Sequence, residues 1–458
     1  MGKLRYFAAL WAAKLSVPAL KLTGHNGTNY PGELAIKICP DFLKYIGKPE
    51  KIIAVTGTNG KTTTCNMTVD ILEKAGYRVL NNRFGSNINS GIATSLITGS
   101  TVFGKTKYKL AVFEVDERSS LKIYPYVKPD YILVTNLFRD SIMRNGHPQY
   151  IADFITRAVP KSSKLILNAD DLIACNVAPE NERVYFGIKQ MDTDRVECIN
   201  LINDMQICPV CQGRLKYDYL RYHHIGKARC PDCGFSSPAY TYAGDNIDIH
   251  NMTMVVREHD DSCEYKLVSD NIVNIYNMVS VIAILREFGM KHDDIRRYMS
   301  TVSIVNSRYN VTKQGDIRII MHMAKEKNAL AITRAFDYVI SQPGKKELFL
   351  MMSCLNDEKH WSENTCWMYD CDFEFLDNDT VTRIIATGPR AKDYKLRLLL
   401  AGVPEEKICC VKDELEAVDS LSFEDIDNIY ILHGVDSLDI ANKVRDEVIR
   451  RVREAEKR

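Results

Sequence analysis

The sequence predicts an α/β protein of two mostly parallel sheets, the first interrupted by a cysteine-rich insert. Three observations predict it. Short apolar runs alternate with stretches of helical periodicity, the pattern of a parallel sheet covered on both faces. The alternation restarts near residue 313, after a long helical stretch. One apolar strand runs through a glycine turn directly into a helix, over residues 51 to 75.

The bulk properties agree with this reading. A chain of 458 residues is too long for one ordinary domain and fits two or three. It is 45% hydrophobic and 26% charged, as expected of a globular protein in water. Lys plus Arg number 60 against 59 Asp plus Glu, so there is no basic surplus and nucleic acid is not an expected partner.

The first 22 residues read as an amphipathic helix. Lys14 and Pro18 interrupt its apolar run well short of the roughly 20 residues that span a bilayer. No cleavage site of the secretory type follows, so a cytoplasmic location is expected. Packing on the body is the plain reading of this helix, and contact with the inner membrane surface the sharper one. Fourteen cysteines without an oxidative framework suit a reducing compartment.

Strands are expected at residues 52–55, 110–115, 131–135 and 165–167, with a helix over 62–75 where Met67, Ile71 and Leu72 share a face. A long helix follows over 275–288, closed by Gly289. The second set of strands falls at 317–321, 348–352, 382–386, 407–411 and 429–432, and a charged amphipathic helix forms the tail. These runs divide the chain into an N-terminal segment (1–50), a central domain (51–312) and a last α/β domain (313–458).

The chemistry is concentrated in the first strand–turn–helix, Thr56-Gly57-Thr58-Asn59-Gly60-Lys61-Thr62-Thr63. Glycines let backbone amides curl around phosphate oxygens, and the helix N-terminus adds its positive end. Lys61 can reach the outer phosphates and the Thr62 hydroxyl can hold Mg²⁺, so ATP and Mg²⁺ are the expected ligands. The commonest spacing has a glycine where this chain has Val55, which makes the loop a variant.

A second constellation is Cys208-Pro209-Val210-Cys211 with Cys230-Pro231-Asp232-Cys233. Two C-x-x-C knuckles deliver four thiolates, the set a closed, structural tetrahedral Zn²⁺ site needs, within an insert over 205–236. His223 and His224 between the knuckles are expected to be surface or internally satisfied residues and not ligands.

The variant loop is where a resemblance begins. The chain resembles the Mur ligase superfamily, which uses ATP to phosphorylate a carboxylate that an amine then attacks. The resemblance implies a Mur ligase-type central ATP-binding domain with an inserted zinc ribbon, followed by a Rossmann-like domain. It implies that Glu114, in Phe113-Glu114-Val115-Asp116-Glu117, binds the metal with Thr62. It further implies that Asn87 (in Gly85-Ser86-Asn87), Asn168 (in Asn168-Ala169-Asp170-Asp171) and Asn274 (in Asn274-Ile275-Tyr276-Asn277) lie near the nucleotide. The stretch Thr135-Asn136-Leu137-Phe138-Arg139-Asp140 looks like the superfamily's T-N-x-x-x-D; Ser141 stands where many members have a metal-binding His.

Only 50 residues precede the phosphate strand, too few for another α/β domain to hold a nucleotide-linked sugar. With the four-cysteine insert, this makes the chain look like the MurT-type synthetase subunits of lipid II isoglutaminyl synthases. That resemblance takes in Tyr30-Pro31-Gly32-Glu33-Leu34-Ala35 and Ala386-Thr387-Gly388-Pro389-Arg390-Ala391. It implies a lipid II acceptor and a heterodimer with a GatD-type glutaminase, whose Cys-His pair Asp357 would complete.

The last domain departs from the family in three places. Lys359-His360-Trp361-Ser362 follows Asp357 without a second Asp, Lys325-Glu326-Lys327-Asn328-Ala329 replaces K-N-P-A-G, and His433-Gly434-Val435-Asp436 replaces P-T-Y-T. Two rival functions follow from the same residues. One is a Mur-like ligase that adds an amino acid without a glutaminase; the other is a non-catalytic module that binds nucleotide and zinc.

Overall fold

The computed structural model describes residues 2–22, 24, 27–139, 146–302, 309–352 and 365–455. The chain forms two compact units, Met1–Phe138 with His147–Ile199 and Asn203–Ile304, and Arg139–Gly146 with Asn200–Ile202 and Val305–Arg458.

The first unit opens with helices α1 (Gly2–Leu22), α2 (Tyr30–Ile38) and α3 (Phe42–Tyr45). Strand β1 (Lys51–Thr56), helix α4 (Lys61–Lys74), β2 (Val79–Asn81), α5 (Asn89–Thr98), β3 (Leu110–Glu114) and α6 (Ser120–Ile123) follow. Next come β4 (Tyr131–Val134), α7 (Pro148–Ala158), β5 (Lys164–Asn168) and β6 (Arg183–Ile188). A hairpin, β7 (Lys216–Tyr222) and β8 (Ile225–Arg229), precedes β9 (Tyr242–Asp248), β10 (Thr253–Glu258) and β11 (Asp261–Lys266). Helices α8 (Ile272–Glu287) and α9 (His292–Met299) close the unit.

Its nine-stranded sheet runs β11-β10-β9-β6-β5-β4-β1-β3-β2. The pairings from β2 to β9 are parallel, whereas β9, β10 and β11 pair antiparallel. Five of the six β1 residues are buried, as a central strand covered on both faces requires. Helix α8 is buried along most of its length and begins three residues before the expected Ile275. The Asn271 side chain sets that start by accepting from Val273 N at 2.9 Å. Helix α1 packs Tyr6, Ala9, Leu10 and Ala13 inward.

The second unit holds β12 (Tyr309–Gln314), β13 (Ile317–Met323), α10 (Ala329–Ser341), β14 (Lys346–Met351), β15 (Val381–Thr387), α11 (Ala391–Leu400), β16 (Ile408–Val411), β17 (Asn428–His433) and α12 (Leu438–Ala455). Its six-stranded sheet runs β12-β13-β17-β14-β15-β16, parallel except for the β12–β13 pair. Strand residues alternate between two cores: Ile320, Leu348, Leu350 and Ile384 meet α10 and α11, while Ile319, Phe349, Ile385 and Ile429 meet α12. Period-two side chains buried on both faces are what a covered parallel sheet demands.

Candidate active site

Strand β1 ends at Thr56, and the next four residues turn the chain into α4. Gly57 (φ 121°) and Gly60 (φ 87°) occupy the left-handed region that glycine tolerates. Space excludes a side chain as firmly as conformation does. A Cβ on Gly57 would lie 2.3 Å from Thr135 Oγ1, and one on Gly60 2.2 Å from Asn277 Oδ1.

The loop is clamped from the end of β4. Thr58 N donates to Asn136 O at 2.7 Å, and Asn59 N to Asn136 Oδ1 at 3.0 Å. Asn136 Nδ2 and Thr135 Oγ1 return bonds to Asn59 O at 3.0 and 2.7 Å. Thr58 Oγ1 exchanges bonds with Phe138, accepting from its N at 2.9 Å and donating to its O at 3.2 Å. The loop's shape is therefore fixed by protein contacts.

At the head of α4, Thr62 Oγ1 lies 2.8 Å from Glu114 Oε2, and Asn87 Nδ2 donates to Glu114 Oε1 at 3.0 Å. Asn82 braces the Glu114 backbone through two bonds of 2.9 Å. Mg²⁺ bonds of 2.0–2.1 Å at right angles place neighbouring oxygens about 2.9 Å apart. The Thr62–Glu114 pair fits that spacing, and a hydroxyl with a carboxylate is the donor set a hard cation takes.

Lys61 is engaged differently from the expectation of a lysine extended toward phosphate. Its ammonium pairs with Glu117 Oε1 at 2.8 Å and folds back on the carbonyls of Gly57 and Thr58. Burial pushes the Glu117 carboxyl up, opposed by the Lys61 charge. No local pattern in the sequence marks a role for Glu117 or Asn277; both are set by approach in three dimensions.

Of the three other asparagines expected near the nucleotide, Asn87 is in this cluster. Asn168 is buried and spends its amide on Thr135 O (3.0 Å) and Asp170 N (3.0 Å), so it braces the clamp from within. Asn274 bonds Ser269 Oγ at 3.1 Å and Asn277 at 3.4 Å, beside the Gly60 contact. Asp170 and Asp171 are fully buried. Asp171 accepts from the amides of Leu137, Ile173 and Ala174 at 2.7, 2.9 and 3.0 Å. Asp170 accepts from Tyr276 at 2.6 Å and Ile188 N at 3.0 Å, and faces Arg221 at 3.4 Å.

The β7–β8 hairpin lies on this network. Of the two placements expected for His223 and His224, surface or interior, the structure has the interior: both are buried at the hairpin tip. His224 Nε2 is 3.3 Å from Asp171 Oδ1, and its ring lies 4.5 Å from the Phe138 ring. At the other end of the insert the four cysteine sulfurs lie within 4.8 Å of one another, with Cys208–Cys233 at 3.6 Å and Cys211–Cys230 at 3.4 Å. Zn–S bonds of about 2.3 Å in a tetrahedron separate sulfurs by about 3.8 Å, so the cluster fits that ion. Val210 N and Gly213 N each donate to a knuckle sulfur at 3.4 Å, and Gln212 (φ 65°) and Gly234 (φ 76°) turn the chain after each pair.

In the second unit, two of the divergent segments meet. Glu326 Oε2 accepts from Val435 N at 2.8 Å, Asn328 caps α10 by accepting from Ala331 N at 2.9 Å, and His433 is buried. Asp357, Asp140 and Ser141 lie outside the described residues.

A mostly parallel sheet with a clamped phosphate loop, and a hydroxyl–carboxylate pair at its mouth, defines the class as a phosphate-loop, nucleotide-binding α/β protein. Solved structures share the fold. A pseudomurein peptide ligase type C from Methanothermus fervidus superposes with a TM-score of 0.67 at 21% identity, over 89% of this chain and 81% of that one. MurF from Acinetobacter baumannii gives 0.63 at 14% identity, over 91% and 80%. Residues 55–216 match the Mur ligase middle domain, and residues 326–436 match the MurT ligase C-terminal family. The lipid II isoglutaminyl synthase (glutamine-hydrolyzing) subunit MurT of Staphylococcus aureus (strain COL) is 31% identical over 87% of this chain and 89% of its own. The subunit of the same name from Streptococcus pneumoniae is 30% identical over 89% and 90%. The chain belongs to the MurT family of ligase subunits.

Proposed function

We propose that this chain is the ATP-using synthetase subunit that amidates the D-glutamate α-carboxylate of the lipid II stem peptide, giving D-isoglutamine. The observation that carries this reading is the meeting of Thr62, Glu114 and Asn87 beside Lys61, at the mouth of a loop shaped for a triphosphate. A carboxylate is a poor electrophile because its oxygen cannot leave. In the proposed reaction that oxygen attacks the terminal phosphorus of ATP and ADP departs, leaving an acyl phosphate. Ammonia then attacks the acyl carbon, phosphate leaves, and the nitrogen gives up a proton. Thr62 and Glu114 would hold Mg²⁺, which neutralises phosphate charge, and Lys61 would leave Glu117 for the phosphate oxygens.

The names of the relatives support a lipid II acceptor and glutamine as the nitrogen source. A GatD-type glutaminase subunit would supply the ammonia, and Asp357 would orient the imidazole of that partner's Cys-His pair. Cys208, Cys211, Cys230 and Cys233 would hold a structural Zn²⁺. The reading keeps an N-terminal segment (1–50), a central ATP domain (51–312) and a last α/β domain (313–458), working in the cytoplasm at the inner membrane face.

The test is mass spectrometry of lipid II after incubation with this chain, the glutaminase subunit, ATP, Mg²⁺ and glutamine. Replacement of one hydroxyl by one amino group per stem is expected. Gain of a whole amino-acid residue would instead establish the peptide-ligase reading. An unaltered stem with tight nucleotide binding would establish the non-catalytic one.

A further inference from the structure

Helix α1 buries one face and leaves the other apolar. At roughly 100° per residue, Leu4, Trp11, Leu15 and Leu22 fall on one narrow stripe. They are 82%, 50%, 72% and 88% exposed. The ridge is extended sideways by the turn after α5: Trp11 Nε1 donates to Val102 O at 3.0 Å, and Val102 and Phe103 of that turn are exposed.

The charged side chains of α1 and of the adjoining turn have one sign. Lys3 and Lys21 flank it on the same side of the helix, and Lys105, Lys107 and Lys109 extend from the adjoining turn, all five exposed. Neither 2–22 nor 101–109 contains a carboxylate side chain, in a chain that carries 60 Lys plus Arg against 59 Asp plus Glu overall. Among the described residues no helix is long and apolar enough to cross a membrane.

We infer that the Leu4–Trp11–Leu15–Leu22 ridge of α1, with Val102 and Phe103, is a docking surface for an anionic bilayer. Leucine and aromatic side chains enter the boundary between headgroups and acyl chains, and the flanking lysines meet lipid phosphates. An apolar stripe alone would suit a protein partner equally well; the uniform positive frame selects the lipid surface. The surface would present a lipid-linked acceptor to the nucleotide site. The lipid-linked acceptor rests on the function proposed above, but the docking itself rests on α1 and the adjoining turn, so its failure would leave the ATP chemistry untouched.

The test is co-sedimentation of the full chain, with its glutaminase subunit, on vesicles of phosphatidylglycerol mixed with phosphatidylcholine and on phosphatidylcholine alone. Three variants are compared: L4S/L15S, K3E/K21E and the single L22S, which guards against misfolding of the double variants. Thermal midpoint and nucleotide affinity should stay at wild-type values in each. Wild type is expected to pellet with the anionic vesicles and not the neutral ones. L4S/L15S should partition at least tenfold more weakly, and K3E/K21E and L22S several-fold more weakly. Equal pelleting of wild type and variants, or no pelleting of wild type, would overturn the inference. So would ridge variants that change only the oligomeric mass or only the capture of the glutaminase subunit.

Discussion

Lys61 has two sets of partners it cannot serve at once. Its ammonium is held by Glu117 Oε1 at 2.8 Å, within reach of the loop that would carry phosphate. K61A should therefore abolish ATP hydrolysis while leaving the proposed zinc content of the four-cysteine cluster unchanged, measured by phosphate release and metal analysis. E114Q should lower kcat/KM for ATP by at least a hundredfold, about 2.7 kcal/mol of transition-state stabilisation. Excess Mg²⁺ should recover part of that loss. Glu117 also carries a pH dependence. Its folded pKa is raised, chiefly by burial and against the pull of Lys61. Its stabilising contribution is thus fully present below the ordinary carboxylate range and is lost as pH rises through the folded value. In urea titrations the stability difference between wild type and E117Q should move toward the variant as pH climbs above that range. A difference that does not change with pH would contradict this assignment.

At the scale of elements, the β7–β8 hairpin is a strut under the phosphate loop. His224 rests on Asp171 and Phe138, Asp171 holds Leu137 N, and Phe138 holds Thr58. H224A should cost about 2–4 kcal/mol of stability through lost packing against Phe138 and the cavity it leaves. It should raise KM for ATP several-fold more than it lowers kcat, with the proposed four-cysteine metal site retained. The phosphate loop was legible in the sequence because each requirement is local: glycine at positive φ, then Lys61 and Thr62 at a helix start. The knuckles were legible for the same reason. The antiparallel strands β9, β10 and β11 were not. Strands β10 and β11 bury alternate residues and β9 only its first three, all among charged neighbours, so no long apolar run marks them. Asn277 was equally hidden as a loop contact, because only the packing of α8 brings its amide against Gly60. The asparagines of the sequence signatures gather around the loop and its clamp, and Asn168 serves the clamp from beneath by holding Thr135.

For the whole molecule, the proposed division of labour puts ATP chemistry in this chain and ammonia release in its partner. D357N should cripple amidation fed by glutamine at least tenfold more than amidation fed by ammonium salts. Equal loss with both would reject the orienting role for Asp357. The central claim is that the acceptor's own carboxylate oxygen receives the phosphoryl group, and heavy-oxygen labelling tests it most directly. Lipid II labelled in the D-glutamate α-carboxylate is converted with ATP, Mg²⁺ and ammonium, and the released phosphate is analysed by mass spectrometry. The account predicts one labelled oxygen in the phosphate for each amide formed. Phosphate that carries only solvent or ATP oxygen, alongside amide product, would contradict it.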